Sequence, residues 1–134
     1  MAISARTSTS TPLASTMQRR IVWGIRIVLA LAFGAAGYAK LADVPQMIQI
    51  FESIGFGQWF RYVTGAVEVA GAALLLVPAA GFIGGLVLTA TMVGAVATHL
   101  LLIGGSPIPA LVLGLLSAFV TWRQRPMSEI PAPR

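Results

Sequence analysis

Apolar residues along this chain fall into four runs divided by short polar punctuation, and each run nears the length needed to cross a bilayer. The runs are Ile21 to Leu41, Phe60 to Ala80, Phe82 to Ile103, and Pro107 to Trp122. Spanning takes about 20 residues at about 1.5 Å of rise each. The last run is short and needs Trp122 and Arg123 at the headgroups to complete it. Backbone groups in lipid must be satisfied internally, so helices are the predicted form. The expectation is an all-α protein, a polytopic membrane four-helix bundle over residues 21–125. Residues 1–20 and 126–134 are expected to be tails, too poor in apolar residues to fold alone.

The connections sharpen that picture. Pro78-Ala79-Ala80-Gly81 leaves almost no loop, so spans two and three should form a tight antiparallel hairpin. Gly104-Gly105-Ser106-Pro107 does the same between spans three and four. Between spans one and two, Asp43-Val44-Pro45-Gln46 reads as a helix start, with Asp43 capping and Gln46 reaching back. Met47, Ile50, Phe51 and Ile54 then recur at helical spacing while Gln49, Glu52 and Ser53 face away, until Gly55 and Gly57 end the element. This short amphipathic helix should lie on the membrane surface, followed by the interfacial aromatics Trp59, Phe60 and Tyr62. It is read either as a connector or as a lid over a pocket.

Composition agrees with the pattern: 57% of residues are hydrophobic and 10% charged, against about 25% charged in a soluble domain. Cysteine is absent, which removes iron–sulfur ligation by thiolates, thiolate zinc sites and covalent haem attachment. The net charge of +5 does not point to nucleic acid. Arg6, Arg19 and Arg20 precede the first span, Arg123, Arg125 and Arg134 follow the last, and no basic stripe is interleaved with aromatics. An even number of spans with both ends basic predicts both termini in the cytoplasm of a bacterial-type inner membrane. Residues 1–20 hold Arg, Ser and Thr without acid, which would also suit a transit peptide; the cytosolic tail is preferred. A cleavable signal peptide is disfavoured because Arg26 interrupts the apolar stretch and three more spans follow.

Arg61, one residue into its run, is read with Asp43 and Glu52 as a charge of the loop between spans one and two. That leaves four ionisable groups inside the apolar runs: Arg26, Lys40, Glu68 and His99. A carboxylate at such depth is costly unless paired or protonated, so Glu68 is a candidate functional group by default. Counted from Tyr62, Glu68 lies about 9 Å deep, and His99 lies about 6 Å below the same boundary. Lys40 is one residue from the end of its span, so three polar groups from three helices share the outer third of the membrane, which puts the expected ligand pocket in the outer half. Arg26 lies about 8 Å in from the opposite face, where its long side chain could snorkel to the headgroups or grip a lipid or quinone head group. On span two, Thr64, Gly65, Glu68, Gly71, Ala72 and Leu75 share a face of mostly small residues, which should look inward. His99 shares its face with Met92, Ala95, Val96 and Ile103, which gives a weaker signal.

Each group has a bland reading beside the sharp one. A Glu–Lys or Glu–His contact can simply hold the helices in register, worth about 1–2 kcal/mol. Glu68 and His99 as proton-handling catalytic groups are the sharper alternative, with Lys40 or Tyr38 at the mouth of their pocket. Metal binding is disfavoured because one histidine and one carboxylate supply only two ligands. His99 and Met92 share one helix and cannot give opposite axial ligands to a haem iron. Gly81 and Gly85, at GxxxG spacing, read as packing positions.

The strings GYAKLADVPQ, VTGAVEVAGAALLLVP and MVGAVATHLLL, in this order and spacing, resemble the small DoxX-like membrane proteins over about residues 21–122. The resemblance implies a four-helix membrane bundle in which Lys40, Glu68 and His99, with Arg26 in span one, match the family's polar positions. That family takes its name from a subunit of a thiosulfate:quinone oxidoreductase, and some members sit beside soluble redox enzymes. The bundle also resembles vitamin K epoxide reductase-type proteins, whose thiol chemistry the missing cysteines exclude.

Three functions follow from the sequence. The first is a membrane component of a redox system that binds a quinone or similar lipophilic carrier, with Glu68 and His99 handling protons. The second is an accessory or assembly subunit packed against a larger membrane or redox complex. The third is a small transporter, disfavoured because four short helices enclose little space unless they form a homo-oligomer.

Overall fold

The computed structural model describes residues 12–126, with side chains from Ser15 onward. Five helices follow one another: α1 (Pro12–Leu41), α2 (Pro45–Ile54), α3 (Gln58–Leu76), α4 (Gly81–Thr98) and α5 (Ile108–Arg123). A 3₁₀ turn, Pro78–Ala80, makes the expected tight link from α3 to α4, and α4 runs on into a π-helical turn, His99–Ile103. Among the described residues there is no strand. The four long helices pack in chain order, α1 on α3, α3 on α4 and α4 on α5, with a lighter contact closing α5 onto α1. The result is an all-α bundle of membrane type.

Three helical stretches are long and apolar enough to cross a membrane: Ser15–Leu41, Gln58–Leu76 and Pro78–Ile103. The 16 residues of α5 are apolar too, but reach only about 24 Å. Large apolar side chains such as Leu31, Val93 and Leu101 lie exposed on the outside of the bundle, as a lipid solvent would require.

Helix α1 begins well before the expected start at Ile21, so residues 12–20, expected in a tail, are helical instead. Proline is tolerated in a first helical turn, and no glycine or proline breaks the helix between Pro12 and Gly24. Its 30 residues run about 45 Å, more than the hydrocarbon core needs. The surplus leans on the end of α5, where Arg123 Nη2 donates to Gln18 Oε1 at 3.3 Å. Residues 1–11 and 127–134, the rest of the expected tails, lie outside the described residues.

Apolar burial cannot draw helices together in lipid, so close backbone approach and polar bonds must do so. The small-residue face of α3 serves this purpose. A Cβ on Gly37 would sit 2.7 Å from the Gly65 carbonyl oxygen, and one on Gly84 would sit 3.0 Å from that of Gly71. Gly85 lies equally close to the Ser117 backbone of α5, at 3.1 Å. Between these crossings the core is filled by Leu29, Phe33, Leu75, Leu88, Met92 and Val120.

Two buried arginines close the two ends of the bundle. At the end carrying Gln18 and Arg123, Arg26 is 1% exposed. Its Nε donates to the Leu75 carbonyl at 2.6 Å, Nη2 to the Val77 carbonyl at 2.7 Å, and Nη1 to Gln124 Oε1 at 3.0 Å. The first two acceptors are carbonyls at the C-terminal end of α3, which have no partner inside their own helix. Arg26 therefore does not snorkel to headgroups; it caps a neighbouring helix. Its guanidinium also stacks 4.2 Å from the Trp23 ring centroid, and Gly81 leaves it room.

At the opposite end, Arg61 on α3 is 2% exposed and repeats the device. It donates to the Lys40 carbonyl in the last turn of α1, to Gln58 Oε1 at 2.6 Å, and through Nη2 to Asp43 Oδ1 at 2.5 Å. The Tyr62 hydroxyl donates to the same Asp43 oxygen at 2.6 Å. Asp43 was expected to cap α2. It turns back to Arg61 instead, in a left-handed backbone conformation (φ 56°), and Val44 starts α2 without a side-chain cap. The hydrogen bond from Tyr62, and next that from Arg61, hold the Asp43 carboxyl below the usual carboxylate range.

Two outcomes are predicted. Lysine has no planar fork and can follow only one of the three directions Arg26 serves, so Arg26→Lys should cost on the order of 3 kcal/mol. That loss would be read as an earlier melt of the full chain in neutral detergent; an unchanged melt would return Arg26 to a snorkelling role. For Asp43, the folded-state pKa lies below the unfolded one. Its bond thus contributes stability that is present above the unfolded value of about 4 and is lost as pH falls through the folded value. Melting temperature should drop as pH falls from about 5 through the unfolded value and below it, and Asp43→Asn should flatten that slope. Equal slopes in the two proteins would remove Asp43 from the acid response.

Candidate functional site

The end of the bundle fastened by Arg61 contains a cavity of about 500 Å³. Its walls come from α1, α3, α4, the π-helical turn and α5, and α2 lies across it. The apolar face of α2 read from its spacing, Met47, Ile50, Phe51 and Ile54, is the face that lines the cavity, with Phe51 buried. Gly55 ends α2 in the left-handed region (φ 84°), donating to the Phe51 carbonyl at 3.3 Å. Phe51 and Phe60 meet with centroids 5.8 Å apart, fixing α2 against the start of α3. The lining is largely apolar, as a lipophilic guest requires.

Its polar groups are few and placed from three helices. Lys40 Nζ donates to Glu68 Oε2 at 2.8 Å, with the lysine side chain 14% exposed and the glutamate 4%. Lys40 stands in the last turn of α1, where a cation complements the helix dipole. Arg61 holds the Lys40 carbonyl and lies on the same buried face of α3 as Gly65, Glu68, Ala72 and Leu75. The pair is thus held from both sides, by Arg61 on the chain that carries the lysine and by the Gly37–Gly65 approach beside it. An ammonium has three donors. One is on Glu68, which leaves Lys40 able to bond a carbonyl or hydroxyl oxygen within the cavity.

His99 opens the π-helical turn and lines the same cavity, together with Met92, Ala95 and Ile103 of the face read from the sequence. It does not bond Glu68. Its Nδ1 lies 3.0 Å from the Gly104 carbonyl oxygen, which can only accept. A neutral His99 is therefore protonated at Nδ1, and Nε2 is left as an acceptor. The sequence places Glu68 and His99 within hydrogen-bond or one-water distance of each other; the two line one cavity, and the hydrogen bonds they make there are to Lys40 and to Gly104. Extra backbone in a π-helical turn re-aims side chains and recurs at functional sites. Here it sets His99 toward its own loop.

The other sequence candidates fall elsewhere. Tyr38, expected near the pocket mouth, is 69% exposed on the outside of α1 and does not line the cavity. Helical geometry explains this, since only Ala39 separates it from Lys40 and positions i and i+2 do not share a face. Arg26 is at the far end of the bundle, bonded to α3 and Gln124. Among the described residues, no three His, Cys, Asp or Glu side chains converge on one point.

Sequence reasoning missed Arg61, reading it only as a charge in the loop region. The signal was available. Positions 61, 65, 68, 72 and 75 continue one helical face at alternating steps of four and three, and all five are buried. Thr64, read from the sequence as part of the inward face of span two, also lines the cavity, as do Thr91 and Thr98, which the sequence did not single out. Each bonds a carbonyl one turn back, at 2.8, 2.9 and 2.8 Å respectively.

Comparison with known proteins fits this arrangement. Residues 25–122 match the DoxX-like family. A curated relative, "Putative oxidoreductase CatD" of Bacillus subtilis (strain 168), is 31% identical over 74 residues, which make up 55% of this chain and 55% of the relative. The chain thus spans about half the length of the curated relative it matches. No solved structure matches it. With most of its folded length inside the family match, the chain belongs to the DoxX-like family.

Proposed function

We propose that this protein is a membrane component of a redox system that holds a quinone, or a lipophilic molecule of similar build, in the cavity beneath α2. One observation carries the reading: the Lys40–Glu68 ion pair, its glutamate buried, opens onto a largely apolar cavity of about 500 Å³. A ring with a carbonyl at one edge and an apolar tail fits such a wall, bonding Lys40 at its polar edge. Phe51, Phe60 and Met92 would surround its apolar part. A redox enzyme acting as electron donor would supply the two electrons that reduce a quinone to a quinol, and Glu68 and the Nε2 atom of His99 would pass on the two protons taken up with them. The relative named as an oxidoreductase supports the redox setting. We further infer that α5 also crosses the membrane, giving four spans with both termini on the cytoplasmic side of a bacterial-type inner membrane. The basic residues Arg19, Arg20, Arg123 and Arg125 support this orientation, since they gather at the end where α1 begins and α5 ends.

The ligand reading is tested with the full chain in neutral detergent and a short-chain naphthoquinone or benzoquinone. The quinone should raise the melting temperature of the wild type. Removing one partner of a buried pair strands the other and costs about 3–5 kcal/mol, whereas replacing both with apolar residues is often neutral. Lys40→Met/Glu68→Leu should therefore fold and melt near the wild type, yet lose the quinone-induced shift. A double variant that responds to quinone as the wild type does would reject the pair as the binding group. Extraction of the purified wild type with organic solvent should also release a quinone chromophore.

The topology is tested with reporter fusions at Glu52 and at Arg134. The two should report opposite sides of the membrane. If they report the same side, the number of spans is wrong and so is the assignment of the cavity to the outer half.

A further inference from the structure

The structure has a second cavity, at the opposite end of the bundle from Glu68, with a volume of about 410 Å³. It is walled by the start of α1, by Pro78 in the α3–α4 turn, and by Arg123 and Gln124 at the end of α5. Three guanidinium groups line it, those of Arg19, Arg26 and Arg123. No acid does. The acidic side chains among the described residues, Asp43, Glu52 and Glu68, belong to the α2 end, where Arg61 and Lys40 pair with two of them. The charge of the basic end is thus uncompensated by any described residue.

Its depth narrows the ligand. Trp23 lines the cavity and Trp122 neighbours Arg123 in sequence, with Arg123 and Arg125 each 5.9 Å from the Trp122 ring centroid. Tryptophans mark the headgroup level of a bilayer. Arg19 immediately precedes the apolar run that begins at Ile21, so the cavity opens where the hydrocarbon ends. Guanidinium groups offer paired donors that match tetrahedral and planar oxyanions. Arg26 supplies a rigid inner wall because its fork is already fixed on α3 and Gln124, whereas Arg19 and Arg123 are exposed at the rim, Arg123 with a long bond to Gln18 Oε1 that leaves its other donors for a guest.

We propose that this cavity binds a phosphate oxyanion, either the phosphodiester of an anionic phospholipid head group or a free phosphate. Arg19 and Arg123 would grip the oxygens and Trp23 would pack beside the group. Because α1, α5 and the α3–α4 turn all contribute to the walls, an occupant would tie three parts of the bundle together and stabilise it by mass action.

The test uses the purified full chain in neutral detergent, with melting temperature as the readout. Phosphatidylglycerol should raise it by several degrees more than phosphatidylcholine does. Arg19→Gln/Arg123→Gln should lose that excess, while Arg20→Gln/Arg125→Gln, which removes the same charge away from the cavity, should keep it. If the first double variant does not fold, Arg19→Gln alone removes an exposed side chain and should lose part of the excess. Inorganic phosphate or glycerol phosphate at millimolar concentration separates the sources. A matching shift assigns the site to free phosphate, and no shift assigns it to the lipid head group. No excess for phosphatidylglycerol together with no shift from soluble phosphate, or equal losses in the two double variants, would overturn the proposal.

Discussion

A membrane bundle has no water to satisfy a buried polar group, so the protein must supply every partner itself, and this constraint organises the whole structure. Helix ends feel it most, because their last carbonyls have no partner within the helix. Two arginines meet the need here. Arg26 reaches from α1 to carbonyls at the end of α3, and Arg61 reaches from α3 to the end of α1. Each helix of the α1–α3 pair thus closes the terminus of the other, at opposite ends of their long contact. Among the described residues, no buried side-chain nitrogen or oxygen lacks a hydrogen-bond partner.

The same constraint gives the bundle two unlike ends. Around Arg61 the cations and acids pair closely, Arg61 with Asp43 and Lys40 with Glu68, and the space left beside them is apolar. Around Arg26 the cations outnumber any described acid, and the space beside them is lined by polar and apolar groups alike. Between the ends, glycine contacts replace the apolar driving force that a water-soluble bundle would have. This leaves the middle tightly packed and places the usable volume near the two membrane faces.

Much of the architecture was legible in the sequence because lipid imposes long, uninterrupted apolar runs. The hairpin at Pro78, the run that became α4 with its π-helical turn, and the cavity-facing residues of α2 all followed from spacing and breaker residues. The inward face of α3 was legible for a similar reason, since Gly65, Glu68, Gly71, Ala72 and Leu75 recur at helical steps. Hydropathy gave less guidance past the end of an apolar run. Residues 12–20 looked like a tail because they are polar, yet they continue α1, whose end rests on α5.

What the sequence determined by itself was the helical class, the spacing of the helices and the position of each ionisable group along its helix, because these depend on neighbours along the chain. Which group each charge would meet depended on helix rotation and crossing, which only packing sets. Glu68 had Lys40 and His99 at similar depth, and the close Gly37–Gly65 approach of α1 to α3 brought Lys40 to it. His99 was instead taken by the Gly104 carbonyl that the π-helical turn presents. Arg26 and Arg61 read as surface-seeking charges in sequence, and tertiary structure turned both inward because helix-end carbonyls with no partner in their own helix lay within their reach.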